Sequence, residues 1–97
     1  MAKGYWIVHV TVKDPEGYKQ YIAANAAPLA KYGARFLVRG GKHETRKGEE
    51  QQRHVVLEFE SFEQAKACYD SPEYQAAARI RDAYADVAVV IVEGYDG

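Results

Sequence analysis

The side chains best equipped for chemistry in this 97-residue chain are three histidines, a lone cysteine, eight tyrosines and a few arginines and carboxylates. His9 and Glu58 lie in two strand-like runs read as adjacent and central and take the same facing, so a symmetric pairing of the two runs leaves them opposite or diagonal, about 4.5–8 Å apart at Cβ. His54 is a further diagonal candidate. A histidine beside a carboxylate is held in one tautomer with its charged form favoured, which a general base or a pH-sensitive contact requires. The same residues also serve as a polar cluster that fixes register in a buried seam. Arg39 shares a face with Arg35 and Leu37, and Gly40 and Gly41 after it leave room for a ligand, so Arg39 is a candidate for clamping a carboxylate bidentately. Its competing role is an ion pair with Glu58 or Glu60 across a hairpin. Asn25 interrupts an apolar stripe just ahead of Pro28, which places its amide beside Tyr18, Tyr21 and Tyr69 as ligand-binding candidates; an aromatic pocket with one or two polar groups is the usual small-ligand arrangement. The plainer alternative is that Asn25 bonds to backbone loosened by Pro28.

Other chemistries find no footing. His9, His43 and His54 show no HxxxH or CxxC spacing, and Cys68 lies on a different element, so no metal site is expected. There is no GxGxxG after a strand, no Walker loop and no nucleophile elbow, and no cofactor is expected. Cys68, next to Tyr69 on or near a buried helix face, reads as an inert core residue.

Thirteen Lys and Arg against fourteen Asp and Glu leave no net field to draw a nucleic acid or an anionic membrane. A hydrophobic fraction of 47% excludes a disordered chain. The longest apolar stretch, Val87 to Val92, is far short of the ~20 residues that span a bilayer. With one cysteine and no signal-peptide pattern after Met1, the chain is expected to be soluble and cytoplasmic.

The elements that must position these residues follow from local pattern. Tyr5 to Val12 is β-branched and aromatic, a first strand ending at Lys13-Asp14-Pro15. Asp14 as N-cap and Pro15 in the first turn start a helix whose inward stripe is Tyr18, Tyr21, Ile22, Asn25, Leu29 and Tyr32, with Gly33 as its stop. Pro28 predicts a kink or break around Asn25 to Pro28. Ala34 to Val38 is a second strand, and Arg39-Gly40-Gly41 suggests a bulge or a close backbone approach. Lys42 to Gln52 reads as a charged hairpin tip extending strands two and three. Arg53 to Glu60 alternates as a third strand. Ser61 and Gln64 form a reciprocal capping box, and Phe62, Ala65 and Tyr69 face inward. Ser71-Pro72 restarts the helix with Ala76, Ala77, Ile80, Ala83 and Tyr84 inward and Gln75, Arg79 and Asp82 outward, before a fourth strand at Asp86 to Val92.

The order β-α-β-β-α-β predicts a single α+β domain over residues 1–97, ferredoxin-like, with strands one and three central in a four-stranded antiparallel sheet and both helices on one face. Val8, Val10, Val12, Val55, Leu57 and Phe59 are assigned to the helix side. The opposite face is read as carrying Ile7, Val56, Val89 and Ile91, too apolar for water, and a second copy of the sheet is its simplest cover.

The motifs GYWI (Gly4 to Ile7), YGARFLVRGG (Tyr32 to Gly41), VLEFES (Val56 to Ser61), SPEYQ (Ser71 to Gln75) and VEG (Val92 to Gly94) together resemble the small bacterial family called domain of unknown function 1330, in the dimeric α+β barrel superfamily. The resemblance implies a homodimer with sheets face to face and helices outside. It implies no single activity, since the superfamily mixes cofactor-free monooxygenases, haem-handling enzymes, isomerases, dehydratases and plain ligand binders. Three readings therefore stand. One is a small-molecule binder for an aromatic or carboxylate-bearing compound, with or without cofactor-free catalysis. Another is a dimer module without chemistry. The last is a haem-associated enzyme using His9, His43 or His54.

Overall fold

A computed structural model describes residues 2–96, ordered as β1 (Gly4–Val12), α1 (Pro15–Lys31), β2 (Arg35–Arg39), β3 (Arg53–Phe59), α2 (Phe62–Asp70), α3 (Pro72–Tyr84) and β4 (Ala85–Glu93). The strands pair antiparallel in the order β2-β3-β1-β4, which puts β1 and β3 at the centre as the ferredoxin-like pattern requires. None of the described helices is long and apolar enough to cross a membrane.

Caps set the helix boundaries. The Asp14 carboxylate accepts from the Gly17 amide, with Pro15 in the first turn where a missing N–H costs nothing. Ser61 Oγ accepts from the Gln64 amide at 3.0 Å, which opens α2. The reciprocal half of the box does not form: Gln64 Nε2 donates to the Tyr32 carbonyl at 3.1 Å instead, tying α2 to the end of α1. Ser71 closes α2 by donating Oγ to the Cys68 carbonyl and opens α3 by accepting from the Tyr74 amide. The break expected in α1 is absent, and the helix runs unbroken from Pro15 to Lys31. Buried Asn25, Pro28 and Leu29 hold that turn against its neighbours, so packing outweighs the one helical bond a proline removes.

The core lies between helices and sheet. Trp6 and Val10 of β1 and Val55, Leu57 and Phe59 of β3 meet Tyr18, Tyr21 and Leu29 of α1, Ala65 and Cys68 of α2 and Tyr74, Ala77 and Ala78 of α3. Trp6, 1% exposed, donates Nε1 to the Ala65 carbonyl at 2.9 Å and sits against the rings of Phe59, Tyr69 and Tyr74. Phe62 and Tyr69 are only partly buried, and Cys68 takes the inner position of α2. The stripe of α3 also differs from expectation: Tyr74, Ala77, Ala78 and Arg81 face inward, while Ala76 and Ala83 are exposed. Small alanines on both faces made the phase ambiguous, and the Ser71 cap, which aims Tyr74 inward, settles it.

Three further corrections bear on the sites. In β4, Val89 pairs with Val8 and Ile91 with Trp6, so both belong to the helix side; Val90 and Val92, opposite Ile7 and Tyr5, occupy the open face. An unbroken apolar run has no visible alternation, and only the register to β1 fixes its parity. In β2 the bulge falls between Phe36 and Val38 rather than at the glycines, so Arg35 lies opposite Glu58 on the open face and Arg39 opposite Val55 on the helix side. Residues 42–52 form an irregular loop rather than a hairpin tip, tied to β1 by Thr11 Oγ1 to Gln51 Oε1 and by the Val12 amide to Gln52 Oε1.

Candidate functional site

The helix side of the sheet and the inner stripes of α1 and α3 leave a cavity of about 30 Å³ between them. At roughly 10–15 Å³ for each water, it holds about two or three, the size of a carboxylate group. Helical spacing brings Tyr18, Tyr21 and Asn25 to it from α1, and Tyr74 and Arg81, two turns apart, from α3; alternation brings Arg53 from β3. The bulge in β2 turns Arg39 towards it.

The lining holds Arg39, Arg53 and Arg81 and no carboxylate. Arg81, 6% exposed, donates Nε to Asp82 at 2.9 Å, Nη1 to the Tyr74 hydroxyl at 3.1 Å and Nη2 to the Tyr69 hydroxyl at 3.3 Å. The Tyr74 and Tyr21 hydroxyls lie 2.6 Å apart. Burial pushes the Tyr74 phenol far above its ordinary range. Tyr18 is likewise raised by burial and by Tyr21, with the Arg53 and Arg81 cations opposing. Arg39 stacks its guanidinium over the Phe36 ring at 4.1 Å.

Arg53 is the exception in this network: its Nε is buried with no hydrogen-bond partner. Its guanidinium lies across Gly40, whose φ of +67° favours glycine and where a Cβ would stand 2.6 Å from Nη1. Of the two glycines after Arg39, Gly40 thus does admit a close approach, by Arg53, while a Cβ on Gly41 would meet nothing within 4 Å. Beyond Arg53 an outer cleft of about 320 Å³ is lined by Val12, Pro15, Tyr18, Gly40, Gln52 and Arg53. Tyr18 and Arg53 line both spaces and stand between them.

Of the candidates from sequence, Tyr18, Tyr21, Asn25 and Arg39 converge on this cavity, Asn25 being 5% exposed. Tyr69 stands behind it as an acceptor for Arg81. Arg53 and Arg81 carry no motif, but each was legible by phase: Arg53 precedes Val55 and Leu57 in alternation, and Arg81 follows Ala77 at i+4. Cys68 is buried and its thiol is pushed up to about 12 by burial, which leaves no thiolate for chemistry.

His9 and Glu58 are not brought together. His9 is paired with His54 and Glu58 with Tyr5, which separates the two candidates by four residues, roughly 13 Å along the ladder. Glu58 accepts from the Tyr5 hydroxyl at 3.0 Å and faces Arg35 at 3.9 Å, so the cross-strand ion pair anticipated for Arg39 belongs to Arg35. Instead the structure gathers the histidines on the open face: His9 Nδ1 and His54 Nδ1 are 2.7 Å apart, and the His43 ring lies edge-on to His54 at 4.4 Å. A Nδ1 pair at that distance shares a single hydrogen, so one ring must be unprotonated there. The pKa of His54 is lowered, first by burial and then by His43 and His9, against a raising effect from Glu50. Among the described residues no group of three or more His, Cys, Asp or Glu is arranged to hold a metal ion.

A family model described as Domain of unknown function (DUF1330) matches residues 3–95. The chain belongs to this family. Solved structures resembling this DUF1330 chain include a protein of unknown function from Rhodopseudomonas palustris, 15% identical over 99% of this chain and 85% of that one, with a TM-score of 0.78. SnoaB, a cofactor-independent oxygenase from Streptomyces nogalater, is 14% identical over 100% of this chain and 97% of its own, with a TM-score of 0.65. A dimeric ferredoxin-like protein of unknown function from Thermobifida fusca is 18% identical over 94% of this chain and 90% of its own, with a TM-score of 0.57. At these identities the likeness is one of fold. No curated protein matches the chain.

Proposed function

We propose that this DUF1330 protein is a homodimer whose protomers each bind a small carboxylate-bearing molecule between helices and sheet. The carboxylate takes the inner cavity among Arg39, Arg53 and Arg81, and the remainder of the molecule extends past Tyr18 into the outer cleft. The observation that carries this reading is the buried, unpartnered Nε of Arg53 beside a cavity with three guanidinium groups and no acid. An orphaned buried donor is costly in a fold that makes no use of it, and a carboxylate accepts from guanidinium with the geometry and charge to repair it. None of the three histidines lines the cavity, so the haem reading gains no support there.

The dimer reading rests on the open face. Val38 (42% exposed), Val56, Ile7 (36%) and Val90 (56%) lie in one row across the four strands, with Val92 (38%) further along β4, an apolar patch that water does not favour and that a second sheet would cover. Similar structures from Thermobifida fusca, Jannaschia and Bacteroides fragilis are described as dimeric.

Titration calorimetry with acetate, propionate and butyrate tests the binding. Saturable binding of at least one is expected, lost in Arg53→Met. Failure of all three at millimolar concentration in the unmutated protein overturns the reading. Light scattering tests the assembly, with a dimer expected and a folded monomer at micromolar concentration contradicting it.

A further inference from the structure

We propose that the histidine pair on the open face makes the dimer acid-sensitive: His9 and His54 hold one shared hydrogen within the seam, and a further proton opens the pair and drives the protomers apart. This rests on the dimer reading above. His9 Nδ1 and His54 Nδ1 lie 2.7 Å apart, on residues directly opposite each other in the central strands. Two imidazolium rings both donate and neither accepts, so the contact survives only while one ring is unprotonated. The His43 ring, edge-on to His54 at 4.4 Å, adds a third group able to take up a proton at the same spot.

Position puts the pair in the seam. His9 is two residues from Ile7, His54 two from Val56, and Ala88, opposite His9, two from Val90, so the histidine row runs beside the apolar row of the open face, roughly 7 Å away. A stable interface buries roughly 800 Å² on each partner, a patch about 16 Å in radius, so a seam centred on the apolar row covers both rings. In the free protomer the two are only partly buried, and a charged pair can open towards water. Under a second sheet it cannot. The dimer therefore holds the extra proton more weakly than the protomer does, and by reciprocity acid weakens the dimer.

The charges around the pair do not offset this. Ala88, its neighbour on β4, carries none, and the next residue on that face, Asp86, is paired with Lys13 at 3.5 Å. Thr11 on β1 is uncharged and bonds to Gln51. On β3, Glu58 is held by Tyr5 and Arg35 at the far end of the face. The 42–52 loop sets His43, Glu44, Arg46, Lys47 and Glu49 around the space over the rings, where Glu44 pairs with Arg46 at 3.4 Å. Its acids (Glu44, Glu49, Glu50) and bases (Lys42, Arg46, Lys47) are equal in number. Glu50 favours the charged form of His54, but burial, His43 and His9 oppose it and prevail.

Sedimentation equilibrium of the full chain at pH 7.5, 6.5 and 5.5 and constant salt reads the dimer Kd, with circular dichroism of each sample reporting whether the protomer stays folded. One proton excluded per protomer raises Kd by up to about 100-fold per pH unit below the histidine range, so an increase of about 10-fold or more is expected from pH 7.5 to 5.5. In His54→Asn the increase should shrink to less than about threefold, because the pair that excludes the proton is gone. A Kd that is independent of pH or tightens in acid, or a His54→Asn dimer that keeps the full pH dependence, overturns the inference and leaves the dimer reading intact. Should the variant fail to fold or pair, or the protomer unfold at pH 5.5, dilution calorimetry of the unmutated protein at pH 6.5 in two buffers of different ionisation enthalpy counts the protons directly. Net uptake on dissociation is expected, and no uptake or a release overturns the inference. A monomer at all three pH values overturns the dimer reading, and the inference with it.

Discussion

Replacing Arg53 with Met separates stability from binding in a way that few core substitutions do. The methionine keeps an unbranched stem for the space between the inner cavity and outer cleft, and it removes a guanidinium whose buried Nε has no partner. A buried polar group left unsatisfied costs about 1–3 kcal/mol. Some of that is returned as lost packing of the guanidinium against Gly40, so a net gain of about 1 kcal/mol is expected for the variant without ligand. In a domain of this size that gain raises Tm by roughly 4–8 °C. With a carboxylate present at about 100 times its Kd, the unmutated protein gains about 2.7 kcal/mol and the variant gains nothing. The order of stability therefore inverts between the two conditions. Differential scanning calorimetry with and without propionate reads both halves. A variant less stable than the unmutated protein by 1 kcal/mol or more without ligand would refute the claim that Arg53 is under-satisfied in the empty fold. Equal stabilisation of both proteins by propionate would place the anion elsewhere.

The remaining predictions concern the open face, the histidines and the caps. Val90→Lys should give a folded monomer by light scattering and circular dichroism, because Val90 is exposed in the protomer, whereas Ile91→Lys should unfold the chain, because Ile91 packs against the core. The lowered pKa of His54 means that the unfolded chain takes up a proton before the folded one does, so stability is full above the unfolded value of about 6.5 and falls as pH drops through and below it. Denaturant titrations between pH 7.5 and 5 should show that loss, and His54→Asn should reduce it; an unchanged slope in the variant would clear His54 of the effect. Glu58→Gln should bring the Tyr5 phenol down towards 10, since the hydrogen bond to Glu58 is the main cause of its raised pKa, and an unmoved Tyr5 titration by ultraviolet absorbance would contradict the pairing. Ser61→Ala should cost about 1 kcal/mol by orphaning the Gln64 amide, against no change for Glu63→Ala in the same urea titration.

By itself the sequence determined what local pattern can encode. The β-branched and aromatic run Tyr5 to Val12, the alternation in Arg53 to Glu60, the caps at Asp14 and Ser61, the restart at Ser71-Pro72 and the order of elements led to a ferredoxin-like sheet with β1 and β3 at its centre. Helical spacing likewise placed Tyr18, Tyr21 and Asn25 on one wall before any cavity was visible. Register was beyond its reach, because a shift of one residue turns every side chain of a strand to the other face while leaving the local pattern unchanged. Tertiary pairing decided that His9 meets His54 and that Glu58 meets Tyr5. It moved Val89 and Ile91 to the core side, and the bulge in β2 parted Arg39 from Arg35. The gathering of Arg39, Arg53 and Arg81 around one small space comes from residues far apart in the chain, and only packing of α1 and α3 on the sheet brings their charges to the same point.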